Sequence, residues 1–336
     1  MRAVAMDFYA KGYSIGLVLK LLELPRSTFY HKASAGLPGR PTSTFTRRLD
    51  GTLIPNEVVV ADFMELLSND FVDYGYRKVG EWLRWHKSYI LNDKKVLRLM
   101  QENRVTLPSR SENCVTNRKR ITEKVPQPSG PRQHVEVDIK FVRVNGKNRN
   151  ALILNFVDLF HREWLPFLVG WTIRKEAFIK MLRAIFGDVP PAEERMSLVI
   201  RTDNGSQFIA TDVALWMEHM GIKHEFIHAS SPEENAHVES FHSIMQRAMV
   251  RPREFDSLED LQETLAKFRA FYNHERLHSA TCQRPPMVFL ALWKQGYVTE
   301  RFDSKNKRTF ILSKEGQLRP PFSERNCFSY SNIIHN

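Results

Sequence analysis

His134-Val135-Glu136-Val137-Asp138-Ile139-Lys140-Phe141 is the stretch that decides the fold. Val135, Val137, Ile139 and Phe141 alternate with polar residues, the period of a strand with one apolar face, so 135–144 is expected to be a strand. Asp138 then lies on the face opposite Val137 and Ile139. Asn145-Gly146 follows as a hairpin turn signal. Residues 151–157 and 167–173 read as second and third strands, the latter preceded by Pro166. Downstream come a helix over 174–186, a short buried strand over 198–202, a helix over 211–220 closed by Gly221 and a strand over 223–227. Helices over 233–250 and 257–272 complete an α/β pattern.

Two further carboxylates stand out against this pattern. Asp203 sits in Thr202-Asp203-Asn204-Gly205-Ser206-Gln207-Phe208, at the carboxyl end of the fourth strand, where ligands gather in α/β sheets. Glu239 sits in Asn235-Ala236-His237-Val238-Glu239-Ser240-Phe241, on a helix expected to pack against that sheet. If the first and fourth strands are neighbours, Asp138, Asp203 and Glu239 can converge. Such carboxylates suit Mg2+, which takes hard oxygen ligands and keeps several waters. Two ions roughly 3.5–4 Å apart could activate one oxygen and stabilise another in phosphodiester chemistry. Asp158, also near a strand end, is a competing candidate that spacing alone does not exclude.

Charge supports a nucleic-acid partner. The 336-residue chain carries a formal net charge of +11. Residues 1–133 hold 22 Lys+Arg against 13 Asp+Glu, and residues 134–336 hold 27 against 25. A basic amino-terminal part beside a near-neutral remainder fits a DNA-binding segment joined to something else. A solvated basic surface is the plainer alternative. Cys114, Cys282 and Cys327 are odd in number and far apart, which implies no disulfide framework and fits a reducing, cytoplasmic compartment. In a bacterium such a protein would meet the nucleoid without import. No apolar run approaches the ~20 residues needed to span a bilayer.

The amino-terminal part divides further. Residues 3–33 read as short helices, broken at Gly12-Tyr13-Ser14 and Leu24-Pro25, in a helix-turn-helix pattern. A plain three-helix packing unit is the alternative. The third helix brings Arg26, Ser27, Thr28 and Lys32 forward as DNA contacts. Residues 35–56, rich in Gly, Pro, Ser and Thr, are expected to be a linker. A second helical module covers 57–104, with Val79, Trp82 and Leu83 on one apolar face and Arg77, Lys78, Lys94 and Lys95 available for DNA. Residues 105–133 are expected to be an extended basic linker whose Arg118-Lys119-Arg120 could follow a phosphate backbone.

Several of these stretches together resemble a known family. Asp138-Ile139-Lys140-Phe141, Val169-Gly170-Trp171, Thr202 to Phe208, Ser231-Pro232-Glu233-Glu234-Asn235, Glu239-Ser240-Phe241 and Tyr272-Asn273-His274-Glu275-Arg276-Leu277-His278-Ser279 are similar to DDE-type insertion-sequence transposases with a retroviral integrase-like core. Tyr74-Gly75-Tyr76-Arg77 and Val96-Leu97-Arg98-Leu99-Met100 resemble the helical domain that precedes that core. The resemblance implies a ribonuclease H-like core over 134–292, with a mixed five-stranded sheet, following helical DNA-binding modules at 1–34 and 57–104. It implies that Asp138, Asp203 and Glu239 hold two Mg2+ or Mn2+ ions. The implied activity nicks transposon ends and joins the freed 3′-hydroxyl to target DNA. A catalytically inactive DNA-binding regulator, or a ribonuclease H-like nuclease that only hydrolyses, are the alternatives. Holding two DNA ends implies a dimer or larger assembly. The family's active protein is often a fusion of two reading frames, which makes an upstream-frame product a candidate partner.

Two positions depart from the family pattern. Val135 stands where an aromatic residue tends to precede the first Asp, and Gln246 where a DNA-facing Lys often follows the Glu. Arg247 is adjacent to Gln246, but one residue turns a helix by ~100°. Arg247, Asn204 and Gln207 remain candidate DNA contacts, with turn stabilisation the rival role for Asn204. His274, His278 and Cys282, spaced four apart, could share a helix face and bind zinc, but lack an apparent fourth ligand. Residues 293–336 form an extension whose structure the sequence leaves open.

Overall fold

The alternating strand at 134–144 becomes the centre of a five-stranded sheet. The computed structural model describes residues 1–30, 42–107, 127–187, 198–228, 232–304 and 308–318. Arg118, Lys119, Arg120, Lys32, Cys114, Cys327 and Ser231 lie outside these residues. By its contacts the chain forms two units, Met1–Thr44 and Phe45–Asn336.

In the first unit, α1 (Arg2–Ala10), α2 (Ile15–Leu21) and α3 (Arg26–Tyr30) enclose a small core of Ala5, Val18, Leu19 and Phe29. Gly12, at φ +90°, supplies the left-handed turn between α1 and α2. The order is that of the expected helix, turn and polar helix, though α3 has only five residues.

The second unit begins earlier than the expected linker allows. β1 (Phe45–Arg48) and β2 (Leu53–Pro55) form a hairpin, and β3 (Tyr89–Ile90) pairs on the other side of β1. The overlooked cue is Asp50-Gly51, a hairpin dipeptide; Gly51 adopts φ +89°. Helices α4 (Asn56–Ser68), α5 (Tyr76–Lys87) and α6 (Asp93–Glu102) pack over Val59, Phe63, Leu66, Val79, Leu83, Val96, Leu99 and Met100. Asn92 caps α6 by accepting from the Lys95 amide at 2.8 Å.

The central sheet comprises β4 (His134–Val144), β5 (Arg149–Asp158), β6 (Leu168–Gly170), β7 (Val199–Thr202) and β8 (Lys223–Phe226), in the order β6-β5-β4-β7-β8. β4, β5 and β6 pair antiparallel, whereas β7 joins β4, and β8 joins β7, in parallel. The sheet is mixed because hairpins build one half and helical crossovers, through α7 (Lys175–Phe186) and α8 (Thr211–His219), build the other. The third strand is only three residues long, shorter than the 167–173 expected.

Alternation on the strands sorts residues between two cores. Val135, Val137, Leu154 and Phe156 meet Phe178 and Leu182 of α7 and Val213 and Met217 of α8. Val142, Val144, Ala151, Ile153 and Val157 meet α9 (Ala236–Met245) and α10 (Leu258–His274) through Val238, Phe241, Met245, Leu261, Leu265 and Phe268. The β4–β5 connection at Asn145-Gly146 is a hairpin, as that dipeptide signals. Asn145–Lys147 makes a single 3-10 turn closed by Asn148 at φ +49°. Gly146 is required by close approach: an added Cβ would lie 2.1 Å from the Asp256 carbonyl oxygen.

The helical module is docked on this core. Tyr74 Oη accepts the Leu277 amide at 2.9 Å, Arg276 pairs with Asp73, and Arg284 pairs with Glu81 at 2.8 Å. The Tyr74 and Tyr272–Ser279 motifs, far apart in sequence, thus meet. Pro286 starts α11 (Pro286–Lys294), occupying the first turn, where its missing N–H costs nothing. Beyond it, β9 (Val298–Phe302) and β10 (Arg308–Leu312) form a hairpin followed by α12 (Lys314–Leu318). Phe310 of the hairpin packs on Phe160 and Phe289.

Candidate active site

The register of the sheet sets the acids beside one another. Glu136 of β4 pairs with Arg201 of β7. Continued by two residues, that register brings Asp203 level with Asp138. Across the other edge Asp138 pairs directly with Asn155 of β5. Even-numbered residues of β4 face α9, so Glu136, Asp138 and Lys140 share the face on which α9 presents Glu239.

Glu136 fixes that helix. Its buried Oε2 accepts the amides of His237 and Val238 at 3.0 and 2.8 Å, satisfying donors in the first turn of α9. Burial pushes its carboxyl up to about 7, against the pull of those hydrogen bonds. Glu239 follows one residue later, exposed at the surface.

Asp138 is half-buried, and its Oδ1 accepts the Ile139 amide at 2.8 Å. Burial first, then repulsion from Asp203 and Glu239, pushes its pKa up to about 7 against that hydrogen bond. One ligand atom from each of Asp138, Glu239 and His242 lies within 4.8 Å of the others. Asp203 stands close enough to perturb Asp138 but outside that tight group. Its Oδ1 accepts the Gly205 amide at 2.9 Å, a local turn that holds the carboxylate at the strand end. Phe208 anchors the same loop in the core against Phe178, with ring centroids 4.8 Å apart.

His242 is the unforeseen member. It lies one helical turn after Glu239 and is nearly buried. Its Nδ1 is 3.6 Å from Asp138 Oδ2 and its Nε2 is 3.1 Å from Asn155 Nδ2. Burial, and to a lesser degree Lys140, lowers its pKa to about 3, so the ring is neutral at physiological pH. The i, i+3 spacing from Glu239 was available in the sequence; its partner Asn155 is visible only once β5 is paired.

A cleft of about 350 Å³ opens beside Glu239, lined by Lys140, His242, Ser243, Gln246, Arg247 and Arg251. The helix following Glu239 widens into a π turn over Gln246–Val250. Gln246 and Arg247 therefore both line the cleft, although Arg247 also pairs with Asp73 at 3.2 Å.

The remaining candidates separate by environment. Arg26, Ser27 and Thr28 are exposed on α3, and Arg77 and Lys94 are exposed on α5 and α6. Lys78 is half-buried over the Tyr74 ring, where burial and Arg276 lower its pKa to about 7; it does not present a free cation to solvent. Lys95 donates to the Phe45 carbonyl at 2.6 Å. Asn204 donates to the Ile227 carbonyl at 2.9 Å, tying the β7 loop to the end of β8, and Gln207 is half-buried. Asp158 is fully buried and accepts from the amides of Arg132, Phe160 and His161, a structural role that removes it as a rival. The His274, His278 and Cys282 spacing does not make a helix face. α10 ends at His274, His278 bridges to Arg284, and Cys282 turns at φ +55°.

Comparison with known proteins agrees with this construction. Residues 128–232 match a family model described as "Integrase core domain", and residues 220–286 match a second model of the same description. The chain is 28% identical over 225 residues to an uncharacterised 39.2 kDa protein of insertion element IS476 from Xanthomonas euvesicatoria, covering 66% of this chain and 61% of that relative. It is 22% identical to the putative transposase InsK of IS150 from Escherichia coli, covering 79% of this chain and 89% of the relative. Among solved structures, the catalytic core domain of HTLV-2 integrase in complex with magnesium has a TM-score of 0.35 at 16% identity, covering 48% of this chain and 97% of that one. Residues 128–286 thus match integrase core domains, and the chain is similar to transposases of insertion sequences.

Proposed function

We propose that this chain is a DNA transposase in which Asp138, Asp203 and Glu239 hold two divalent ions, Mg2+ or Mn2+, for nicking transposon ends and joining them to target DNA. The supporting observation is the meeting of Asp138 on β4 with Glu239 on α9, with Asp203 level with Asp138 on the adjoining strand. The donor set fits a hard cation: hard oxygen donors crowd one face, and burial, with repulsion from Asp203 and Glu239 added to it, raises the pKa of Asp138. Bound divalent ions would lower the pKa of the attacking water or 3′-hydroxyl and stabilise charge on the leaving oxygen. Asp138 would bind from the rigid strand, Asp203 from its turn at the strand end, and Glu239 from the helix that Glu136 anchors. Both steps are in-line displacements at phosphorus, so one site serves both. The phosphate backbone would run along the cleft beside Glu239, where Lys140, Arg247 and Arg251 offset its charge. Exposed Arg26, Ser27, Thr28, Arg77 and Lys94 would contribute end binding elsewhere, with the protein acting as a dimer or larger assembly on two DNA ends.

The test uses purified full-length protein, Mg2+ and a labelled transposon-end duplex. Nicking followed by joining is expected. Asp203→Asn should remove both steps while leaving end binding within about threefold. Binding without cleavage by the wild-type chain would leave only a DNA-binding regulator, and cleavage without joining would leave a hydrolytic nuclease.

A further inference from the structure

We propose that His242 is a positioning residue that orients Asp138 through an Asn155–His242–Asp138 relay, and is not itself a metal ligand. The proposal rests on the carboxylate site proposed above and deepens it. Proximity alone allows the opposite assignment, because His242 offers a ligand atom within 4.8 Å of atoms of Asp138 and Glu239. The hydrogen bonds of Asn155 decide between them. Asn155 is fully buried, and its Nδ2 donates to the Ile153 carbonyl at 3.1 Å. A carbonyl can only accept, so it holds the amide nitrogen, rather than Oδ1, on that side. The same Nδ2 is 3.1 Å from His242 Nε2, which must then be the accepting nitrogen. In a neutral imidazole the proton therefore resides on Nδ1.

Nδ1–H faces Asp138 Oδ2 at 3.6 Å, longer than a hydrogen bond but within reach of a small side-chain adjustment. A protonated Nδ1 has no lone pair for a metal. Ligation through Nδ1 would need the Nε2–H tautomer and a reversed Asn155 amide, which would set Asn155 Oδ1 against the Ile153 carbonyl. Meanwhile Asp138 sits opposite Asn155 across β4 and β5, which sets amide, ring and carboxylate side by side. Closed to hydrogen-bond length, this contact would fix a ligating carboxylate and strengthen its hold on an ion.

Two measurements test the relay. In metal-free protein labelled with 15N at histidine, the side-chain resonances of His242, identified by their loss in His242→Asn, should show a protonated Nδ1 and an unprotonated Nε2. Mn2+ binding to the protein alone, followed by electron paramagnetic resonance, should weaken about ten- to a hundredfold in His242→Ala. His242→Asn keeps a donor near the position of Nδ1 and should recover to within about threefold of wild type. An Nε2–H tautomer, or an asparagine variant as weak as the alanine variant, overturns the relay in favour of direct ligation. An alanine variant with lowered Tm and wild-type Mn2+ affinity overturns it in favour of packing. Wild-type protein that binds no Mn2+ overturns the metal-site function itself, a result distinct from wild-type binding with the wrong tautomer.

Discussion

The two faces of β4 and β5 were built from the same alternating strands and do different work. On the face covered by α7 and α8, Val135, Val137, Leu154 and Phe156 are buried among apolar side chains, and the packing is uninterrupted. On the face covered by α9 and α10, apolar packing by Val142, Val144, Ala151 and Ile153 gives way toward one end to Glu136, Asp138, Lys140 and Asn155. One face supplies rigidity, and the other uses that rigidity to hold groups that would otherwise repel or seek water. A strand can serve both because its period of two keeps the two sets of side chains on opposite sides of one backbone.

The comparison breaks if changes on the polar face act through stability. Asp138→Asn should lower strand-transfer rate by at least about ten-thousandfold, a loss of transition-state stabilisation. Its thermal midpoint without metal should hold or rise at pH 8, because the substitution removes a carboxylate that the fold disfavours in its charged form. A large fall in midpoint, read by calorimetry, would mean that Asp138 serves packing.

The next effect is on the other face. Phe156 is fully buried and stacks with Phe178, their ring centroids 6.0 Å apart. Phe156→Ala should cost about 3–5 kcal/mol in denaturant unfolding. The molecules that remain folded should keep their Mn2+ affinity. A selective loss of metal binding at unchanged stability would show that the two faces are not separable.

The succession of strands and helices from 134 onward was legible because alternation and short buried runs are local properties; which strands are neighbours was not. The places of Asp138 on a strand, Asp203 at a strand end and Glu239 on a helix were legible as well; their joint role is the proposal made above. Other features escaped for physical reasons. Asp50-Gly51 lies in a stretch whose composition reads as a linker, although the dipeptide itself calls for a hairpin. Asn145-Gly146 signals the hairpin, but the close approach of its glycine to the backbone of Asp256, more than a hundred residues away, is not a local property. The docking of Tyr74 and Asp73 on 276–277 depends on contacts at a separation of about two hundred residues, which no periodicity reports. Glu136 and His242 had the spacing of functional neighbours, at two residues along a strand and three along a helix. Their roles appear only when β4, β5 and α9 are assembled.

The smallest expected effect concerns Glu136, where the two faces come closest in character: the residue is buried like its apolar neighbours, yet it carries an acid. Burial raises its folded pKa to about 7, above the ordinary glutamate value. The folded state therefore binds the proton more tightly than the unfolded chain. Its contribution to stability is fully present below pH ~4.5 and is lost as pH rises toward about 7. Metal-free wild-type protein should accordingly lose stability across that window, with Asp138 adding to the same trend. Glu136→Gln keeps an oxygen that can accept the His237 and Val238 amides and removes the charge. Its unfolding free energy should be nearly flat in the portion of the slope that Glu136 causes, exceeding wild type by up to about 3 kcal/mol at pH 8 and matching it near pH 4. Denaturant titrations at several pH values, on both proteins without metal, measure the difference directly. If Glu136→Gln is instead less stable at pH 8 and steeper in pH, the ionised carboxylate is what holds the first turn of α9. The placement of Glu239 would then depend on a charge, and the polar face would be electrostatically assembled where the apolar face is packed.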